Sequence, residues 1–219
     1  MTTEFAIIFD MDGVLIDSNP YHKIALRQFC SQHGYDLTES QLREKIYGRT
    51  NKEWLTNLFG SLSEEKVNQF AEEKEQLFRK LFANDIKPMA GLIPFLNDLD
   101  KHEIARAIAT SAPRSNVDFT FQKTGIGKYF ATVLNDTHIT HSKPHPEIYL
   151  KTAAALGFPP SRCVVFEDSI SGIEAGLAAG AKVVGVATTH TAAEMNGISF
   201  SIPDFVDLNL AKLAALFEA

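Results

Sequence analysis

The chain has 219 residues, 45% of them hydrophobic, and a formal net charge of -6, enough length to bury a full core with room for an insertion. The acidic balance and the lack of any long Lys/Arg run argue against a nucleic-acid partner, and no stretch approaches the about 20 apolar residues of a membrane helix. Cys30 and Cys163 stand far apart, without metal-type spacing or disulfide density, and the opening MTTEFAIIFD has no basic segment and too short an apolar run for a signal peptide, so a soluble, cytoplasmic, globular protein is expected.

In chain order, the first element is FAIIF, an apolar run that reads as a buried strand. It ends in Asp10 and Asp12, two carboxylates one residue apart, with Gly13 behind them. Desolvating neighbouring carboxylates is costly unless a cation or a shared proton offsets them. The ordinary alternative is a strand running into an Asp-Gly turn. Residues 17–86 then carry helical periodicity, as in KIALRQFCSQHG, NKEWLTNLFG and EEKVNQFAEEKEQLFRKLF. GYDLTES and GSLSEE read as loops whose Thr or Ser starts a helix. A simple parallel crossover needs only a dozen or more residues, so this longer stretch reads as a helical insertion. Next come the strand-like runs ARAIATS, ATVLN, CVVFED and KVVGVA, alternating with helical patterns at 115–124, 146–156 and 170–179. That alternation predicts an α/β fold, a parallel sheet wrapped by helices. Its core spans 1–16 and 87–219, with the helical unit at 17–86.

In open parallel sheets, ligands bind beyond the carboxyl ends of the strands, near a switch in strand order. The first run delivers Asp10 to that edge, ARAIA leads into Thr110 and Ser111, and CVVF leads into Glu167 and Asp168. Carboxylates converging from separate runs call for a cation, and an all-oxygen donor set suits Mg²⁺, which pairs readily with phosphate. Taken alone, Glu167 and Asp168 read equally as a helix N-cap with an acidic flank. Lys143, in HSKPHPEIY, is the candidate fixed cation; its ordinary reading is a solvated surface lysine.

Together DMDGVLIDS, ATS, SKPHPEIY and VVFEDSISGIEAGLAAGA resemble the four ordered motifs of the haloacid dehalogenase superfamily, over residues 5 to about 187. The branch it resembles most is the β-phosphoglucomutase-like one, which includes sugar-phosphate phosphatases and mutases. The resemblance implies a Rossmann-like core with the insertion as a helical cap. It implies Asp10 as nucleophile, Asp12 as general acid/base, and Thr110 and Lys143 on the phosphoryl oxygens. It further implies Mg²⁺ held by Asp10, the backbone carbonyl of Asp12, Glu167 and Asp168. Asp12 itself points to phosphate esters, because the dehalogenases of the superfamily carry no aspartate there.

The activity expected is Mg²⁺-dependent hydrolysis of a small phosphorylated metabolite, a sugar phosphate, through an aspartyl-phosphate, by a monomer without nucleic-acid or membrane partners. The alternative is a phosphomutase. A third reading is a silent phosphometabolite-binding protein, which would have no need of a nucleophile beside an acid. A mutase must hold a second phosphate with a fixed cation. In YGRTNKEWL the position matching the mutases' arginine is Asn51, which is neutral; Arg49 lies two residues earlier, and Lys74 resembles a cap lysine of the mutases. His22 resembles a histidine of the mutase branch that assists proton handling. Ser111, His22, Arg49, Asn51 and Lys74 are therefore the candidate substrate contacts. His138, His141 and His145 cluster in HITHSKPH and raise zinc as a lesser reading, without a thiolate to join them. Trp54 reads as core of the helical unit.

Overall fold

The computed structural model describes residues 5–46 and 51–218; the chain divides into Met1–Asp17 with Ile86–Ala219, and Ser18–Asp85. In chain order, the described elements begin with β1 (Ala6–Phe9), α1 (Asn19–Gln32), α2 (Glu39–Lys45), α3 (Asn51–Phe59) and α4 (Glu64–Phe82). There follow α5 (Leu92–Lys101), β2 (Arg106–Ala109), α6 (Arg114–Thr124), β3 (Thr132–Leu134) and α7 (Glu147–Leu156). The chain closes with β4 (Cys163–Glu167), α8 (Ile170–Ala178), β5 (Lys182–Val186), β6 (Phe200–Ile202) and α9 (Leu210–Ala214).

The six strands form one parallel sheet in the order β3-β2-β1-β4-β5-β6. This is the α/β, Rossmann-like fold. Strand order reverses at β1, which places the ligand crevice beyond its carboxyl end. Phe9 pairs with Ile108 on one side and with Phe166 on the other. Asp10, Thr110 and Glu167 therefore emerge within one residue of the same level.

Strands covered on both faces read as continuous apolar runs rather than alternating ones, and β1 is buried throughout. Ala6 and Ile8 join Tyr149, Ala153, Val165 and Ile173 in one cluster. Phe9 belongs to an aromatic layer, stacked on Phe166 at 5.1 Å and set edge-on to Phe95 at 6.4 Å. Three elements of this unit, α5, β6 and the short α9, are absent from the sequence reading. Helix α5 carries Pro94 in its first turn, where no intrahelical N–H bond is lost. Strand β6 is a short, half-buried edge whose residues Phe-Ser-Ile carry little pattern.

In the helical unit the Thr and Ser starts are in place. Thr38 and Gln41 form a reciprocal capping box at α2, and Ser63 accepts from the Lys66 N–H at α4. Phe29, Trp54, Phe59 and Phe70 build the core, with Trp54 edge-on to Phe29 at 5.6 Å. No helix among the described residues is long and apolar enough to cross a membrane.

Candidate active site

Strand β1 leads directly into Asp10, which is only 7% exposed and whose N–H donates to the Phe166 carbonyl at 3.0 Å. The chain then turns at Gly13, whose φ of 75° is costly for any other residue. Lys143 reaches this point from the loop between β3 and α7. Its Nζ donates to Asp10 Oδ1 at 2.7 Å, to Glu167 Oε1 at 2.6 Å and to the Ala109 carbonyl at 3.3 Å. Three contacts engage all three ammonium protons. The solvated-lysine reading fails here, because only 7% of the side chain is exposed.

Glu167 anchors the far side of Lys143. Its Oε1 also accepts from Tyr149 Oη at 2.7 Å. Its Oε2 accepts from the Asp168 N–H, the Ser169 N–H and Ser169 Oγ, each at 3.0 Å. Ser169, and not either acid, is the N-cap of α8, accepting from the Gly172 N–H. The carboxylate fits only because residue 172 is glycine: a Cβ there would lie 1.8 Å from Glu167 Oε1. Asp168 Oδ2 accepts from Thr189 Oγ1, and Thr188 Oγ1 donates to the Gly13 carbonyl at 2.6 Å. Tyr149, Gly172, Thr188 and Thr189 escape the sequence reading. Tyr149 occupies an apolar helix position and the two threonines lie in an unremarkable loop, so only the fold reveals their partners.

Charge here does not balance. Asp10, Glu167 and Asp168 each offer a carboxylate oxygen within 4.8 Å of the others, against one ammonium among the described residues, that of Lys143. Burial pushes Asp10 well above the usual carboxylate range; Lys143 opposes this, while Glu167, Asp168 and Asp12 add to it. Burial likewise pushes Asp168 up to about 7, with Glu167 adding and Thr189 opposing. Burial works against Glu167 too, but Lys143, Tyr149 and Ser169 outweigh it and keep this carboxylate below its ordinary value. Lys143, which burial alone would lower, is held well above the usual lysine range by Asp10 and Glu167. A buried, all-oxygen, net-negative group of this kind fits a hard divalent cation such as Mg²⁺.

The other candidates are placed as follows. Thr110 is buried, its Oγ1 accepting from the Ala112 N–H at 3.1 Å, and Ser111 is exposed. Asp12 is half-buried and bridges to Ile16. In the helical unit, Lys74 Nζ lies 2.6 Å from Glu75 Oε1 and 3.2 Å from His22 Nδ1. Asn51 Oδ1 accepts from the Trp54 indole N–H at 3.0 Å. Arg49 lies outside the described residues.

Three comparisons bear on this arrangement. The family model described as haloacid dehalogenase-like hydrolase matches residues 7–186. A phosphorylated carbohydrates phosphatase from Thermotoga maritima is 33% identical over 176 residues, covering 80% of this chain and 81% of that protein. Among solved structures, a HAD hydrolase of family IA, variant 3, from Entamoeba histolytica superposes with a TM-score of 0.91 at 33% identity, over 98% of this chain and 100% of that one. A β-phosphoglucomutase from Clostridium difficile superposes with a TM-score of 0.81 at 27% identity, over 97% of this chain and 96% of that one.

Proposed function

The chain belongs to the haloacid dehalogenase-like hydrolase family, and on that premise we propose that it is a Mg²⁺-dependent phosphatase acting on a small sugar phosphate through Asp10. One observation carries the reading: Asp10, at the end of the central strand, is held by Lys143 at 2.7 Å within a group of carboxylates that outnumber it.

The residues divide the reaction between them. Asp10 Oδ attacks phosphorus, forming an Asp10–phosphoryl bond as the bond from phosphorus to the ester oxygen breaks. Asp12 gives its proton to that departing oxygen and releases an alcohol. Asp12 then takes a proton from water as the water oxygen attacks the aspartyl-phosphate, which returns Asp10 and leaves inorganic phosphate. Lys143 opposes the rise that burial imposes on Asp10 and, with Thr110, faces the phosphoryl oxygens, where charge stabilisation counts most. Asp10, Asp12, Glu167 and Asp168 would hold Mg²⁺, which when bound neutralises charge on the attacking and transferring oxygens.

The test is phosphate release from a panel of sugar phosphates with Mg²⁺, repeated in chelator. Turnover confined to the Mg²⁺ arm is expected; no release from any member, or equal release in chelator, overturns the reading. The likeness to a β-phosphoglucomutase keeps one second reading in view. Incubation with β-glucose 1-phosphate and a trace of glucose 1,6-bisphosphate separates the two. A phosphatase releases phosphate, whereas faster accumulation of glucose 6-phosphate assigns a mutase.

A further inference from the structure

The loop between β3 and α7 carries three histidines, and the reaction above uses none of them. The structure separates them. His138 turns back onto Asn135, its Nδ1 lying 2.6 Å from Asn135 Oδ1. His141 and His145 instead come together, ring centroids 4.6 Å apart, beside Glu147 at the start of α7. One donor atom from each of these three lies within 4.8 Å of the others. We propose that His141, His145 and Glu147 form a second metal site, taking a divalent transition-metal ion of the zinc type and bridging the loop on both sides of Lys143.

The donor set selects the ion. Two imidazoles and a carboxylate suit zinc, with water completing a tetrahedron, whereas Mg²⁺ and Ca²⁺ prefer oxygen alone. Glu147 is already held in place, accepting from the Thr140 N–H at 3.1 Å, the His141 N–H at 2.8 Å and Lys151 Nζ at 2.6 Å. His141 Nδ1 sits 3.2 Å from Glu147 Oε2, so an ion entering there replaces the proton the pair would share. His145 Nδ1 accepts from the Glu147 N–H at 3.3 Å, which keeps its ring beside that carboxylate. Zinc draws its donors to about 2.0–2.2 Å. The His141 side chain, 63% exposed, has open space on one side in which to close that distance.

The plain alternative is a solvated His–Glu pair of the kind that contributes little on a protein surface. It uses one histidine, whereas the structure sets a second, His145, two residues past Lys143 and within the same 4.8 Å. A bound ion ties residues 141, 145 and 147 together and so pins the loop that aims Lys143 at Asp10. It takes no part in phosphoryl transfer.

The test is a calorimetric titration of chelator-stripped protein with zinc in saturating Mg²⁺, beside the same titration of the double variant His141→Ala/His145→Ala. Losing even an outer partner of a metal ligand costs about 10- to 100-fold in affinity, so losing both imidazoles should cost at least tenfold. The variant is expected to lose one zinc equivalent, and Asp168→Asn to keep it. Histidine ring resonances of the wild type give a second readout, independent of how the variant folds: two should shift together up to one equivalent. Unchanged zinc stoichiometry and affinity in a folded double variant, or histidine signals that stay put, would overturn the site.

Discussion

Lys143 in the sheet unit and Lys74 in the helical unit are held in similar ways, each beside one aromatic ring and at 2.6 Å from a buried glutamate. Lys143 lies 4.9 Å from the Tyr149 ring centre. Lys74 contacts His22, which stacks on Phe78 at 3.7 Å. What differs is the count of charges. Among the described residues Lys74 meets one carboxylate, that of Glu75. Lys143 meets Asp10 and Glu167, with Asp168 beside them, and the group is complete only with a further positive charge. A lysine against one acid builds structure; a lysine against three prepares a site for a cation and an anion to meet.

The most severe way to probe the unbalanced group is Asp10→Asn. An amide removes the nucleophile while keeping shape and the Lys143 contact, so the fold should hold and turnover should fall by more than about a thousandfold. Steady-state hydrolysis of an aryl phosphate measures this, and residual turnover within about tenfold of wild type would remove Asp10 from the reaction.

Gly172→Ala disturbs the same group without touching a reacting atom. The new Cβ must displace the Glu167 carboxylate, which would otherwise lie 1.8 Å away, and Lys143 loses its anchor. A misplacement of about 1 Å costs on the order of a hundredfold in rate, and that is the fall expected in kcat. A near-normal kcat would mean that Glu167 does not position Lys143.

The charge imbalance also predicts a pH dependence. In the folded, metal-free protein Asp168 is pushed from 3.8 to about 7, so the folded state holds a proton that the unfolded state gives up. The stability this contributes is complete below the unfolded value and is lost as pH rises through about 7. Asp10 shifts in the same direction; Glu167 shifts the other way and matters only at lower pH. Between pH 5 and 8 in chelator, the Asp168 contribution alone should lower stability by about 2–3 kcal/mol. Saturating Mg²⁺ should flatten the slope, because the ion favours the ionised carboxylates. Thermal unfolding across that window, with and without Mg²⁺, checks both parts; a slope of the opposite sign in chelator would contradict the imbalance.

How much of this was legible in the sequence follows from the same physics. Asp10, Glu167 and Asp168 stand out because acids directly after buried strands are anomalous, and the strands themselves are unbroken apolar runs. Lys143 was visible only by position, since a lysine's type says nothing about its burial. Tyr149 and Gly172 were invisible because their roles are contacts between distant elements. Tyr149 reads as one more apolar residue of α7, and Gly172 as a small residue in α8 until the Glu167 carboxylate is placed against it. In the helical unit the capping residues gave the helix starts, but the pairing of Lys74 with Glu75 and His22 depends on how α1 meets α4.

The last effect expected is again on stability, and it compares the two lysines directly. Removing one partner of a buried ion pair strands the other, at a cost of about 3–5 kcal/mol. Lys143→Met should show that full cost at neutral pH, since Asp10 and Glu167 lose the ammonium they share. Lys74→Met should cost less, about 1–3 kcal/mol, because Glu75 retains His22 as a neighbour at 3.9 Å and the Lys74 side chain is already 13% exposed. Urea denaturation of both variants in chelator gives the two values on one scale. The pH dependence should separate them as well. Lowering the pH toward 5 should restore much of the Lys143→Met loss, because Asp10 and Asp168 take up protons, and should restore less of the Lys74→Met loss. Equal costs with equal pH dependence would mean that the number of surrounding acids does not distinguish the two lysines.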